Sequence, residues 1–396
     1  MKDIYTVNDY IYWRGDLRLE QEPFNEVDAL ILSMVCYLDF SGIIPGLDSK
    51  RIVTLREAVT QFDGTPYKDR KLGVIIPDDI HGMVEDLSLT ARFYNAKVFA
   101  YENIVDEEQE MQFCALSFRL SDGSIFVSFR GTDDTIVGWK ENFNMCYMSH
   151  VPAQERAAQY LNRIAREHDG PIRIGGHSKG GNLAIWSAVN CADRVKDRIV
   201  RVYSNDGPGF TEELVESEAY RAMRKKCMTY VPQSSVVGMM MEHDENYQLI
   251  YSNRNGLWQH DPYSWAVDRD HFLYVDERSD FGEHYDAILQ GLLDSMSPEE
   301  RRSLIEDMFR VLEATGAKTL TELTSTRGTI KKGIKALMEY DRPRRRRIAQ
   351  MLRLMFTAQV ESAVPENDLL SSLQDKLEKI ERNSPVDFSD WRDWFD

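Results

Sequence analysis

Apolar positions fall along the chain in three regimes. In the first, residues 25–40 (NEVDALILSMVCYLDF) are almost continuously apolar, which predicts a mostly buried helix. Residues 51–62 and 79–94 carry helical spacing, and Pro77 followed by two aspartates predicts a helix start, where the helix dipole favours negative charge. Together these predict a mostly helical N-terminal region, 1–95, packed on a core. In the second regime, residues 97–105, 111–120 and 124–129 are short runs rich in Val, Ile, Phe and Tyr. Ser121, Asp122 and Gly123 separate the last two, a hairpin signal.

Helical and strand-like segments then alternate: a helix at 153–168, a strand at 172–175, a helix at 180–192 and a strand at 199–204. Further strand candidates lie at 228–231 and 247–251. Strands separated by helices imply parallel pairing, since a parallel crossover needs a connection of that length. This predicts an α/β core over 96–283 with a mostly parallel sheet. From residue 284 to 396 the third regime is helical and highly charged, and SPEERRSLIEDMFRVLEA joins a Ser-Pro-Glu-Glu start to a single apolar face. It reads as a helical C-terminal appendage.

The motif that carries chemistry is Gly176-His177-Ser178-Lys179-Gly180. It fits G-x-S-x-G, with the apolar strand PIRIGG before it and the amphipathic GGNLAIWSAVNCA after it. In such a strand–turn–helix the serine backbone is strained, and side chains two positions away on either side would collide, so Gly176 and Gly180 flank it. The helix that follows points its first N–H groups at a developing oxyanion. A second turn, Phe129-Arg130-Gly131-Thr132, ends the strand IFVSF. It places the Thr132 N–H, and its hydroxyl, where they would serve the same oxyanion together with the Lys179 N–H.

FRGT, then GGHSKGG, then a strand ending SNDGPGF resembles the fungal-type (class 3) lipases. The opening YWRGDLRLEQEPFNEVDALILSMVCYLDF is also similar to a group of uncharacterised bacterial lipase-like proteins. The likeness covers about residues 5 to 275. It implies an α/β-hydrolase fold and ester hydrolysis, with the substrate left open. Lys179 departs from the leucine usual in true lipases, and a cation beside the nucleophile favours an anionic substrate over an apolar triglyceride.

Ser178 needs an imidazole to take its proton and a carboxylate to orient that imidazole. Four histidines follow it: His243, His260, His271 and His284. His260 is preferred because NGLWQHDPYSW is a loop after the last candidate strand, with aromatic neighbours that shield it from water; His271 and His243 are the reserves. His177 reads as a packing or hydrogen-bonding residue. For the acid, Asp206 ends the strand IVRVYSND, at the carboxyl end of the sheet where sites of this class form. The place usual for the acid in the resembling lipases reads YVPQSSVVG and holds no carboxylate. Asp206 is preferred and Asp244 is the alternative, while a turn-capping role suits Asp206 equally well.

Of the 396 residues, 42% are hydrophobic and 29% charged, ordinary for a globular chain. A net charge of -17 argues against nucleic-acid binding, which is driven by basic groups. The basic run from Arg342 to Arg347 reads as a solvated helix start. Five scattered cysteines without a CxxC pair predict reduced buried thiols. No run approaches the 18 or so apolar residues of a spanning helix, and the N-terminus lacks a signal-like apolar stretch; the expected location is the cytoplasm. Asp133 and Asp134 read as turn acceptors, and no cofactor or metal is indicated. The sequence therefore predicts a serine ester hydrolase acting on a small-molecule or lipid ester, with the C-terminal helices available for contact with a second copy or another protein. Thioester or amide hydrolysis, or a non-catalytic scaffold on the same fold, are the alternatives.

Overall fold

The computed structural model describes residues 4–65, 72, 80–254, 256–279, 296–325 and 327–360. One eight-stranded sheet organises them, its strands lying side by side in chain order. They are β1 (Val53–Thr54), β2 (Lys97–Asp106), β3 (Met111–Arg119), β4 (Ile125–Phe129), β5 (Ile172–His177), β6 (Ile199–Asn205), β7 (Cys227–Pro232) and β8 (Asn246–Ile250). β1 to β4 pair antiparallel, and β4 to β8 pair parallel. The helices are α1 (Val7–Arg14), α2 (Glu26–Val35), α3 (Leu55–Phe62), α4 (Ile80–Leu89), α5 (Ile136–Asn144), α6 (Pro152–Glu167) and α7 (Lys179–Asn190). Short α8 (Asp193–Lys196), α9 (Glu212–Glu216) and α10 (Glu218–Met223) follow. Past residue 295 come α11 (Pro298–Glu313), α12 (Leu320–Ser325), α13 (Arg327–Met338) and α14 (Arg342–Val360). This is the α/β architecture that the alternation of apolar runs predicts.

The strand order explains why a helical N-terminal region is needed. Parallel strands added always on the same side, through crossovers of one hand, place their helices on one face of the sheet. That face packs Phe113, Ala115, Ile125, Val127, Ile174 and Val202 against α6 and α7. The alternate side chains of the same strands, Cys114, Leu116, Phe118, Phe126 and Tyr203, point the other way. There α1 to α4 cover them, with Val27, Leu30, Ile31 and Met34 of α2 in the same cluster. A buried polar network holds this second layer. The Arg92 guanidinium donates to both oxygens of Asp28, at 2.8 and 2.5 Å, and to the carbonyls of Leu17, Glu22 and Pro23. The Tyr10 hydroxyl also donates to Asp28, at 2.9 Å.

Two predicted elements are built differently, and the first bears on the site. The helix predicted over 25–40 stops at Val35, where the Tyr37 and Leu38 N–H groups turn back to Met34 and Val35 carbonyls. That tight turn carries Tyr37 toward the carboxyl end of β5. The segment predicted as helix over 51–62 begins as strand β1, because Val53 and Thr54 pair with Val98 and Lys97, and Thr54 then caps α3 with Glu57. The helix start at Pro77 lies outside the described residues, as does His284. All five cysteines are free thiols. Among the Arg342–Arg347 run, Arg344 ion-pairs with the buried Asp307, which ties the start of α14 to α11.

A third apolar cluster joins α11 to α14 with α5: Met308, Phe309, Leu312, Leu337 and Ile348 pack against Ile136, Trp139 and Phe143. The junction is also a backbone one. Lys318 O accepts from Ile136 N at 2.9 Å, Asp134 O accepts from Leu320 N at 3.0 Å, and Thr135 forms an isolated antiparallel bridge with Thr319. No helix among the described residues is long and apolar enough to cross a membrane.

Candidate active site

β5 ends at His177 and α7 begins at Lys179, so Ser178 alone makes the turn. Its φ of 58° and ψ of -132° lie in a region that costs a non-glycine residue about 1–3 kcal/mol. The neighbours hold it there. Its N–H donates to Asn205 O at 2.9 Å, and its carbonyl accepts from Gly181 N at 2.9 Å. A Cβ on Gly176 would lie 2.2 Å from the Gly180 backbone, and one on Gly180 would lie 2.1 Å from Phe129 O, so the collision argument from sequence applies at both positions. Ser178 is thereby presented to a cavity of about 150 Å³, whose wall also includes Thr132, His177, Lys179 and His260.

Asp206 and His260 come together: His260 Nδ1 donates to Asp206 Oδ2 at 2.6 Å, with Asp206 fully buried. Asp206 sits at the end of β6 with φ 53°, and its N–H donates to Tyr230 O at 2.8 Å. Its second oxygen accepts from Ser235 Oγ at 2.5 Å, and Ser235 Oγ in turn accepts from Gly238 N at 3.1 Å. A Cβ on Gly238 would lie 2.1 Å from Asp206 Oδ1, so that close approach needs glycine. The segment without a carboxylate, YVPQSSVVG, thus supplies the groups that fix Asp206. The missing acid was the only hint of this in the sequence.

The two reserve histidines are engaged elsewhere. His243 Nδ1 pairs with Glu245 at 2.8 Å, and His271 with the adjacent Asp270 at 3.1 Å. Asp244 ion-pairs with Arg224. Asp133 Oδ1 accepts from the N–H of Thr135 at 2.9 Å and its Oδ2 from Arg130, a turn role, while burial pushes the neighbouring Asp134 carboxyl up. Among the described residues no group of three or more His, Cys, Asp or Glu is arranged to hold a metal ion.

His177, within the motif, positions the loop opposite. Its Nε2 lies 2.9 Å from the His260 carbonyl, which only accepts, so Nε2 carries the hydrogen. Nδ1 then accepts from the Tyr37 hydroxyl at 3.0 Å. Burial, and after it the neighbouring His260 ring, hold His177 well below the usual histidine range. The side chain is neutral, as those two hydrogen bonds require. Trp265 closes the loop: it is fully buried, donates to Gln259 O at 2.7 Å and lies 6.0 Å from the His177 ring.

Lys179 overturns one sequence expectation. Its ammonium does not face the cavity as a free cation. It is fully buried and donates to Gln112 O and Oε1, each at 2.7 Å, and to Glu141 Oε2 at 2.8 Å. A buried ammonium must find acceptors, and α5 brings Glu141 to it. Glu141 also accepts from Gln112 N at 3.0 Å and from Ala153 N at 2.9 Å. With that charge neutralised, Met34, Trp139, Phe143 and Met145 leave the cavity wall largely apolar.

Two of the shifted groups, His177 and Glu245, make stability depend on pH in the same direction. Burial alone would raise the Glu245 carboxyl, but hydrogen bonds from His243, Thr229 and Tyr220 outweigh it and hold the group at about 2, against 4.5 unfolded. Below pH 6.5 the unfolded chain takes up a proton at His177 that the folded chain refuses, and below 4.5 the same holds at Glu245. Where the unfolded state binds more protons, stability rises with pH and is lost on acidification. The urea midpoint is therefore expected to fall steadily from pH 7 to pH 4, and His177→Gln to flatten its upper part. A midpoint that holds level or rises on acidification would contradict both assignments.

The sequence profile of the Mbeg1-like family matches residues 87–310. That span contains Ser178, Asp206 and His260. No curated protein matches the chain in sequence. Among solved structures, it is similar to the Rhizomucor miehei lipase in its propeptide complex, at 13% identity over 40% of this chain and 58% of that one, with a TM-score of 0.29. The chain thus spans less than two thirds of that lipase. It is also similar to the M37 lipase, at 16% identity over 52% of this chain and 69% of that one, with a TM-score of 0.30.

Proposed function

The chain belongs to the Mbeg1-like family, and we propose that it is a serine hydrolase that cleaves carboxylic esters through an acyl-enzyme. The observation that carries this reading is the 2.6 Å bond between the buried Asp206 and His260, whose side chain lines the same cavity as Ser178. A carboxylate can only accept, so His260 Nδ1 holds the hydrogen and Nε2 keeps its lone pair for the serine proton.

In this mechanism Ser178 Oγ attacks the ester carbonyl while His260 Nε2 takes its proton. Asp206 holds the imidazole in the required tautomer and stabilises the imidazolium that forms. Negative charge grows on the carbonyl oxygen. The N–H groups of Thr132 and Lys179 receive it, at a strand end and a helix start that are already in place before reaction. The Thr132 hydroxyl is buried with no hydrogen-bond partner, which fits a donor held for that oxygen. His260 then protonates the leaving alcohol, and the alcohol departs. Water, activated by the same imidazole, releases the acid. The apolar wall and the paired Lys179 favour an uncharged acyl group.

A fluorophosphonate probe tests the reading directly, because it reacts only with an activated serine. Wild type is expected to label stoichiometrically, and Ser178→Ala to show no labelling. Folded wild-type protein that stays unlabelled would point instead to a binding scaffold built on a hydrolase-like core.

A further inference from the structure

We infer that Leu320 of α12 limits the acyl chain that this site accepts to about six carbons. The inference rests on the ester-hydrolase reading. The cavity beside Ser178 measures about 150 Å³, and an apolar cavity of that size holds a six-carbon guest such as benzene. Most of its wall comes from segments that also form the site. Leu320 comes from outside the family match at 87–310, yet it lines the same cavity as Ser178. Its side chain is 1% exposed.

Its position is fixed by backbone pairing rather than by side-chain packing alone. Residues 318–320 run antiparallel to 134–136: Leu320 N donates to Asp134 O, and Ile136 N donates to Lys318 O. Asp134 Oδ2 adds a bond from Thr321 N at 3.1 Å. The partner segment begins two residues beyond Thr132 and runs into α5, whose Trp139 and Phe143 form the adjoining wall. Among the described residues, the C-terminal helices reach the cavity through Leu320, and α11, α13 and α14 hold it in the cluster that includes Ile136, Trp139 and Phe143 of α5. Each methylene that enters an apolar wall gains free energy, and each one left in water gains none. A chain-length profile should accordingly break where the wall ends.

The test is kcat/KM for p-nitrophenyl esters of 2 to 12 carbons, with wild type, Leu320→Ala and Leu320→Met. In wild type the value is expected to rise about fourfold per added carbon, then level off near six carbons. Leu320→Ala removes three carbon atoms and should move the break about two to three carbons higher; the volume-conserving Leu320→Met should leave it in place. Should the alanine variant not fold, Leu320→Val carries the same test with a shift of about one carbon. A rise that continues unbroken to twelve carbons overturns the inference, as does a break unmoved in a folded small-side-chain variant. Calorimetry of saturated fatty acids on Ser178→Ala reads the cavity without the chemistry, and the same break is expected there. Fatty-acid binding with the break but no hydrolysis of any ester would refute the hydrolase reading and keep the role of Leu320. Hydrolysis without the break would do the reverse, and neither binding nor hydrolysis would overturn both.

Discussion

Ser178→Ala is expected to lower kcat for ester hydrolysis by about 10⁶-fold, and Asp206→Asn by about 10⁴-fold, with the fold retained in both. The second value follows from who donates to whom. Asp206 accepts from Ser235 on one oxygen and from His260 on the other. An asparagine amide has only one oxygen. If it stays with the Ser235 hydroxyl, the NH₂ group faces His260 Nδ1 and donates to it. The ring hydrogen then moves to Nε2, which can no longer take the serine proton. Adding Ser235→Ala frees the amide to flip and accept from Nδ1, so the double variant should regain part of the loss. Steady-state kinetics on p-nitrophenyl hexanoate, with near-UV circular dichroism as the control for folding, measure all three. If Asp206→Asn falls within tenfold of wild type, Asp206 merely caps its turn and another group orients His260.

The legible parts of this molecule were those where local spacing and chemistry coincide. The apolar alternation of β3 to β6 and the glycines around Ser178 are local patterns, and the strand–turn–helix is built as they require. The juxtaposition of Asp206 and His260 was readable only as a preference. It depends on where β6 ends relative to a loop 54 residues later in the chain, and nothing in either segment encodes that distance. The role of α2 was half legible: its apolar length marked a buried helix, but its early stop at Val35 answers to Tyr37 reaching His177. Leu320 was invisible, because a leucine that lines a site and a leucine that fills a core look the same in sequence.

Lys179 was misread for a related reason, and its partner yields the second large expected effect. A lysine next to a nucleophile looks like a charge offered to substrate until the acceptor is known, and Glu141 lies 38 residues upstream on α5. Glu141→Ala is expected to destabilise the protein by about 3–5 kcal/mol, because it leaves a buried ammonium without its counter-charge. It also strips the Gln112 and Ala153 N–H groups of their acceptor. The pair joins the start of α7 to α5, so the damage should reach the site: the Lys179 N–H belongs to the turn that this bond steadies. Replacing both partners with apolar residues of similar volume, Lys179→Met with Glu141→Leu, should recover much of the stability, since the cost lies in the stranded charge rather than in the loss of the pair. Urea denaturation of Lys179→Met, Glu141→Leu and the double variant gives the coupling directly. A Glu141→Ala cost below about 1 kcal/mol, the size of an exposed ion pair, would mean that water reaches Lys179 after all. The ammonium would then again be available to an anionic substrate, and the neutral-acyl reading of the cavity would lose its basis.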